Sequence, residues 1–165
     1  MLPVMFIRYF VEIDQPYDIV EVTLLEDPQR WIPGLASKAG AMSDALLAEV
    51  GFGTNGTRVE KKVLLRVHPP ITFPSRLLLP IQWRPSSAHG LFPELHADLE
   101  IAPMGPRRTH LSISARYEPP LGVLGRTLDR AMLHRVAELT VKDFLDRTAA
   151  ALSDAAAHTR RVEAG

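Results

Sequence analysis

Apolar and polar residues alternate along much of the chain before residue 118. This period of two is typical of strands that bury one face and expose the other. It predicts six strands, over residues 4–14, 43–53, 57–68, 76–84, 94–102 and 107–117. The sequences TNG and PMGP each join two successive strands, and short turns of this kind predict hairpins. We therefore expect an antiparallel meander.

The same alternation separates the buried face of the sheet from the exposed one. In the strand 57–68, Lys61 is the one charged residue on the inner face, among valines and leucines. The inner face also carries three residues with a polar group, Trp83, Thr109 and Tyr117, and a small residue, Ala97. A ligand cavity needs a few polar groups in an apolar wall, so these residues are candidates for its lining.

Turn lengths predict which residues face each other across neighbouring strands. A hairpin through PMGP pairs Glu100 with His110, and the preceding hairpin pairs Leu79 with Leu99. Pro80 has no N–H to donate to a ladder, so we expect a bulge or a local edge there.

The surroundings of Lys61 depend on one such register. If Leu65 faces Leu79, Lys61 lies beside Trp83 and forms a cation–π contact with the indole. A buried lysine has a lowered pKa and could bind a carboxylate or form a Schiff base. The alternative, which we favour, is that Lys61 extends its ammonium group to water.

The remaining segments follow helical patterns. A short helix is predicted over residues 15–27 and a second within 27–40. A long helix follows residue 120, and its first apolar stripe includes Leu124, Leu128 and Met132. Arg135 falls within this stripe, whereas His134 falls on the polar side. Beyond Leu139 the apolar stripe moves to the other side of the helix, and we expect the chain to fray from Ser153.

Composition narrows the class of protein. The 165 residues predict a single domain, 1–165. Nineteen basic residues balance nineteen acidic ones, so the sequence lacks the basic footprint of a nucleic-acid-binding protein. The absence of cysteine excludes disulfides and thiolate chemistry. No apolar run is long enough for a membrane span, and the N-terminus is not typical of a signal peptide. We expect a soluble cytoplasmic protein.

The segments FVEIDQPYDIVEVTLLEDPQRW and RTHLSISARYEPPLGVLGRTLDRAMLHRVAELTVKDFL, with the order of elements between them, resemble the SRPBCC or START-like superfamily. This group includes polyketide cyclase-like, coenzyme Q-binding and birch-pollen-allergen-like proteins. The resemblance implies an α+β helix-grip fold, in which a curved antiparallel sheet of six or seven strands wraps around a long C-terminal helix. It also implies an apolar cavity between the sheet and that helix.

Three functions follow from these expectations. The first is the binding of a hydrophobic small molecule, such as a lipid, isoprenoid or polyketide, by inner-face residues together with Leu128, Met132 and Arg135. The second, implied by the resemblance alone, is a polyketide cyclase or dehydratase in which Lys61, Tyr117 and Arg135 move protons or polarise a carbonyl. The third is a protein-interaction module or homodimer that uses exposed phenylalanines in the loops 69–75 and 85–93.

We expect neither a cofactor nor a metal. His96, Asp98 and Glu100 have side chains that can bind a divalent metal. Their alternation places them on the wet face, where pairing with neighbouring charges is the favoured interpretation.

Overall fold

The computed structural model describes residues 4–26, 28–32, 46–54, 56–86, 94–118 and 130–165. Its elements, in chain order, are β1 (Met5–Ile13), α1 (Tyr17–Glu26), a 3₁₀ turn (Pro28–Arg30), β2 (Leu46–Thr54), β3 (Thr57–Val67), β4 (Ile71–Phe73), β5 (Arg76–Pro85), β6 (Glu94–Pro103), β7 (Thr109–Glu118) and α2 (Arg130–Glu163). The strands form one antiparallel sheet in the order β1-β7-β6-β5-β3-β2, and β4 pairs with β5.

Helix α2 lies in the curve of the sheet. It packs closely on β1 and β2, which are the two edges of the sheet, and more lightly on β7. One helix can contact both edges only if the sheet curls around it, so the predicted α+β helix-grip architecture is confirmed. The sheet has seven strands, because the segment predicted as the loop 69–75 contains β4. Within the described residues, no helix is both long and apolar enough to cross a membrane.

The predicted inner face is the core of the molecule. In β6 the burial pattern alternates strictly, and in β5 and β7 every predicted inner-face residue is buried. Trp31, just after the 3₁₀ turn, is also fully buried, and its Nε1 donates to the carbonyl oxygen of Leu24 at 3.0 Å. This bond ties the end of α1 to the segment that follows.

One of the predicted hairpin registers is confirmed and one is wrong. Leu79 faces Leu99 as expected. Between β6 and β7, His110 faces Ala102 instead of Glu100, a shift of two residues. The connection extends over Met104–Arg108 and has Gly105 at φ 79°, so it is longer than the predicted PMGP turn. A shift of two positions leaves every side chain on its predicted face.

The register between β3 and β5 also differs from the prediction. Leu65 faces Trp83 rather than Leu79. The cause is β4, which occupies the first half of β5 and leaves β3 to pair with Ile81–Pro85. Pro80 lies at the junction, where neither β3 nor β4 continues the ladder, and its carbonyl accepts from His68 N–H at 2.9 Å. The sheet is therefore interrupted on this side of Pro80, at the position where a bulge or a local edge was expected.

Helix α2 buries one continuous stripe in its described length. The buried residues are Leu133, Ala137, Thr140, Val141, Phe144, Leu145, Thr148, Leu152 and Ala156. The predicted change of side is therefore not seen within α2, and Leu124 and Leu128 lie outside the described residues. The predicted fraying from Ser153 is also wrong, since α2 continues to Glu163 with Leu152 and Ala156 fully buried.

A bidentate ion pair joins the β2–β3 hairpin to α2. Arg58 donates to both carboxylate oxygens of Asp143, at 2.8 and 2.9 Å. We expect Asp143→Asn to lower the free energy of unfolding by about 1 kcal/mol, because paired charge-assisted bonds are stronger than ordinary surface pairs. Urea denaturation at constant slope measures this change.

Asp146→Asn is the matched control on the same helix. Asp146 pairs with Lys142, one turn away, and both side chains are more exposed than Asp143. Its loss should cost at most about 0.5 kcal/mol. Equal effects of the two substitutions would show that the Arg58–Asp143 pair does not fasten the hairpin to the helix.

Candidate ligand-binding site

A row of inner-face side chains crosses the sheet at the end nearest to the start of α2. It consists of Met5, Tyr117, Leu95, Trp83 and Leu65, each directly opposite the next. The two aromatic residues are separated by one strand, so their backbones are roughly 10 Å apart. Two large amphipathic side chains therefore face the same space beneath the helix.

Trp83, within this row, has a buried indole N–H without a hydrogen-bond partner among the described residues. Its indole is 1% exposed and meets the ring of Phe144 on α2 edge-on, with centroids 5.1 Å apart. Buried indole N–H groups usually have a partner, so this donor is available to a bound molecule.

Tyr117 is fully buried beside the edge strand β1. Its Oη donates to the Sδ atom of Met5 at 3.0 Å. Burial raises the pKa of Tyr117 to about 12; the negative charge of Glu138 adds to this effect, and Arg130 opposes it. The side chain therefore stays a neutral phenol near pH 7, able to donate a hydrogen bond, and its thioether partner is only a weak acceptor.

His134 and Glu138 complete this group, and neither was predicted from the sequence as a site residue. The imidazole of His134 stacks on the Tyr117 ring at 6.4 Å between centroids. Its Nε2 lies 3.2 Å from Glu138 Oε1, and its buried Nδ1 has no partner within the described structure. The spacing of four residues on a helix was the available signal, but the pattern assigned His134 to the polar side.

The next inner row contains little side-chain bulk. It runs through Ile7, Ala115, Ala97 and Ile81. Two alanines at the centre of the sheet leave room that larger residues would fill. The backbone of helix α2 lies near β1 and β2, and its Phe144 side chain contacts Trp83 on β5, so these small residues lie beneath the helix on the inner face of the sheet.

Lys61 and Thr109 do not join this group. Lys61 is half-buried opposite Val50, four residues along β3 from the partner of Trp83, or about 13 Å away. The register that would have placed Lys61 beside Trp83 in a cation–π contact is therefore not formed. Thr109 lies at the opposite end of β7, where its hydroxyl donates to the Gln15 carbonyl at 2.8 Å and ties β7 to the start of α1.

The candidates on the long helix are not brought to the aromatic row either. Leu128 lies outside the described residues. The side chain of Met132 is 53% exposed, and Arg135 is exposed as well. Along the described helix, the stripe through Leu133 and Ala137 faces the sheet instead.

The outer-face and loop candidates have ordinary surface roles where they are described. His96 lies 3.6 Å from the carboxylate of Glu94, and the described residues contain no cluster of three potential metal ligands. Phe73 in β4 is partly covered by the guanidinium of Arg76, 4.6 Å from its ring centre. The second apolar loop, with Phe92, lies outside the described residues.

The raised pKa of Tyr117 predicts a loss of stability at high pH. The phenol ionises near pH 10 in the unfolded chain but near 12 in the native protein, so stability is complete below pH 10 and falls as pH rises toward 12. We expect the ionisation of Tyr117 to lower the free energy of unfolding by an amount on the order of 2 kcal/mol. Ultraviolet titration and urea denaturation at several pH values compare the wild type with Tyr117→Phe. The difference between them is the contribution of Tyr117, because Tyr17, whose pKa is raised in the same way, is present in both proteins. Identical pH profiles would contradict the assignment.

Comparisons with known proteins agree with this architecture. A conserved protein from Geobacillus kaustophilus has a TM-score of 0.57 at 19% identity, covering 91% of this chain and 96% of that one. A START superfamily protein from Mycobacterium smegmatis has a TM-score of 0.56 at 16% identity, covering 93% and 98%. The Zhui aromatase/cyclase from Streptomyces sp. R1128 has a TM-score of 0.55 at 12% identity, covering 97% and 96%.

No protein-family model and no curated protein sequence matches the chain. At identities of 12–19% the structural similarities show a shared fold but do not identify a ligand or a reaction. They cover nearly the whole length of this chain and of its neighbours, so the similarity concerns the whole fold. The chain therefore has the SRPBCC or START-like fold.

Proposed function

We propose that the protein binds a hydrophobic small molecule, such as a lipid, isoprenoid or polyketide-like compound, in the space between the inner face of the sheet and α2. We call this space the cup. The observation that carries this proposal is the position of α2. Its backbone lies near the two edges of the sheet, and the central strands beneath it carry the small residues Ala97 and Ala115. They also carry Trp83, whose Nε1 has no hydrogen-bond partner among the described residues. Apolar walls with a few polar groups are what small-molecule sites require.

The polar groups define how such a ligand would be held. Trp83 Nε1 offers one hydrogen-bond donor, and the Tyr117 hydroxyl offers a second when it leaves the Met5 sulfur. A compound with an apolar body and a carbonyl or hydroxyl oxygen matches this arrangement. A strongly anionic compound does not, since Glu138 lies beside His134 at the same end of the sheet.

Fluorescence of the neutral probe N-phenyl-1-naphthylamine tests the proposal. We expect a saturable increase with one probe per chain, and competition by a long-chain alcohol. The emission of Trp83 should fall in parallel by energy transfer to the bound probe. A linear, non-saturable signal that competitors do not reduce would contradict binding in the cup.

A second candidate function is a cyclase or dehydratase-like reaction. The observation that favours it is the contact of Tyr117 with His134, whose imidazole is held by Glu138. An imidazole oriented by a carboxylate can remove a proton next to a carbonyl, and the neutral phenol can donate to the oxygen that becomes negative. In this second proposal His134 and Glu138 replace Lys61 and Arg135, the residues expected from the sequence.

The model substrate 2,6-heptanedione tests this second function. Its methyl carbon adds to the distant carbonyl, and loss of water gives 3-methylcyclohex-2-enone, whose enone absorption can be followed. If the function is present, His134→Gln should lower the rate about 100-fold. His158→Gln, on an exposed turn of the same helix, should leave the rate unchanged. A wild-type rate equal to that of buffer would exclude this reaction.

A further inference from the structure

The outer face of the sheet, opposite to α2, contains a concavity of about 730 Å³ that crosses four strands. We call it the outer furrow. Its lining residues from the outer face are Phe6, Arg8, His68, Pro80, Gln82, His96, Asp98, Ser114 and Arg116. They alternate with inner-face residues such as Ala97 and Ala115, which contribute to the bottom of the furrow. This space is therefore separate from the cup proposed above.

The furrow follows from the sizes of side chains in two adjacent outer rows. One row runs Arg8, Ser114, Asp98 and Pro80, and it is short at its centre. The neighbouring row runs Phe6, Arg116, His96 and Gln82 and is longer. The short side chains at the centre of the first row, next to the longer ones of the second row, leave a depression along the first row. Its volume is within the range of small-molecule sites.

The positive charges in the furrow are only partly neutralised from within. Arg8 and Arg116 lie diagonally on adjacent strands, since Arg8 faces Ser114 and Arg116 faces Phe6. Neither forms an ion pair or a hydrogen bond with another described residue, although several other arginines do. Asp98 is the one carboxylate in the lining, so the furrow keeps a positive charge.

An apolar surface lies beside these cations. Phe6 is 74% exposed, the largest exposure among the big hydrophobic residues of the described chain. An exposed ring next to two unpaired guanidinium groups matches a ligand that has both a planar apolar body and an anionic group. Guanidinium groups bind carboxylates with paired, charge-assisted hydrogen bonds.

From this arrangement we propose that the outer furrow binds an organic carboxylate with a planar apolar body. Arg8 and Arg116 hold the carboxylate, and the body lies against Phe6 over Ser114. Such a site is independent of the cup, because it uses the opposite side chains of the same strands.

The test compares 2-naphthoate with the uncharged 2-naphthamide, followed by amide chemical shifts of the labelled protein. We expect naphthoate to bind at least about tenfold more tightly, with shifts centred on β1 and β7, since each charge-assisted bond is worth more than one factor of ten. Equal affinities of the two compounds would overturn the proposal. So would shifts centred on Trp83 and Phe144, or no naphthoate binding at millimolar concentration.

Variants locate the site independently. Arg8→Gln and Arg116→Gln should each weaken naphthoate binding about tenfold. Arg107→Gln, an exposed arginine in the β6–β7 connection, should have no effect. Ser114→Trp, which fills the floor of the furrow, should abolish binding, whereas Trp83→Phe in the cup, away from the furrow lining, should leave it intact. The opposite pattern, with loss in Trp83→Phe only, would place the ligand in the cup and contradict the furrow site.

Discussion

Ala97→Trp should abolish uptake of a neutral apolar probe by the cup. Ala97 is at the centre of the inner face, between Ala115 and Ile81 on the neighbouring strands. An indole at this position occupies the space between the sheet and α2 that the ligand would need. The measurement is saturable fluorescence of N-phenyl-1-naphthylamine, for which we expect at least about a tenfold loss of affinity.

The control for this variant is Ser114→Trp. Ser114 lies on the adjacent strand β7 with its side chain on the outer face, so it adds the same bulk on the other side of the sheet. It should leave probe uptake unchanged. Overpacking at Ala97 can itself cost about 1–3 kcal/mol, so both variants are compared after a thermal melt shows that they are folded. Full uptake by a folded Ala97→Trp protein would contradict binding in the cup.

Gly51→Ala should destabilise the protein strongly, although it adds only one methyl group. A Cβ atom on Gly51 would run into the carbonyl oxygen of Val59 and lie 2.9 Å from the Glu60 Cα. Backbone atoms of a paired strand cannot turn away as the end of a side chain can. We expect a loss of about 3 kcal/mol and a Tm lower by roughly 6–12 °C.

Gly53→Ala provides the comparison within the same strand. The nearest atom to an added Cβ is the Thr57 carbonyl oxygen at 3.9 Å, an ordinary contact. Its effect should be close to zero, because alanine also restricts the unfolded chain. Thermal melts of both variants give the difference directly. Similar melting temperatures for the two variants would contradict the close approach of β2 and β3 at Gly51.

Side-chain alternation was sufficient to predict the faces of the strands. Trp83, Ala97 and Tyr117 all lie on the inner face as predicted, because a period of two is a local property of each strand. Register is not local. The short strand β4 pairs with the start of β5 and displaces β3, and this separates Lys61 from Trp83. Nothing in the alternation of either strand reports that displacement.

The helical part of the site was harder to predict for a related reason. The direction in which His134 points depends on how α2 rests on both edges of a curled sheet, and that curl comes from the whole sheet. Periodicity gave two apolar stripes, whereas the described helix buries the stripe through Leu133 and Ala137. His134 therefore lies on the ring of Tyr117 while Met132 is exposed.

Native mass spectrometry tests the central claim most directly. The protein is measured as purified and after incubation with 1-hexadecanol, farnesol and emodin, which represent a neutral lipid, an isoprenoid and an aromatic polyketide. We predict a one-to-one complex with at least one of these classes, which Ala97→Trp loses and Ser114→Trp keeps. An apo mass with all three compounds, or complexes that survive unchanged in Ala97→Trp, would contradict an apolar ligand site between the sheet and α2.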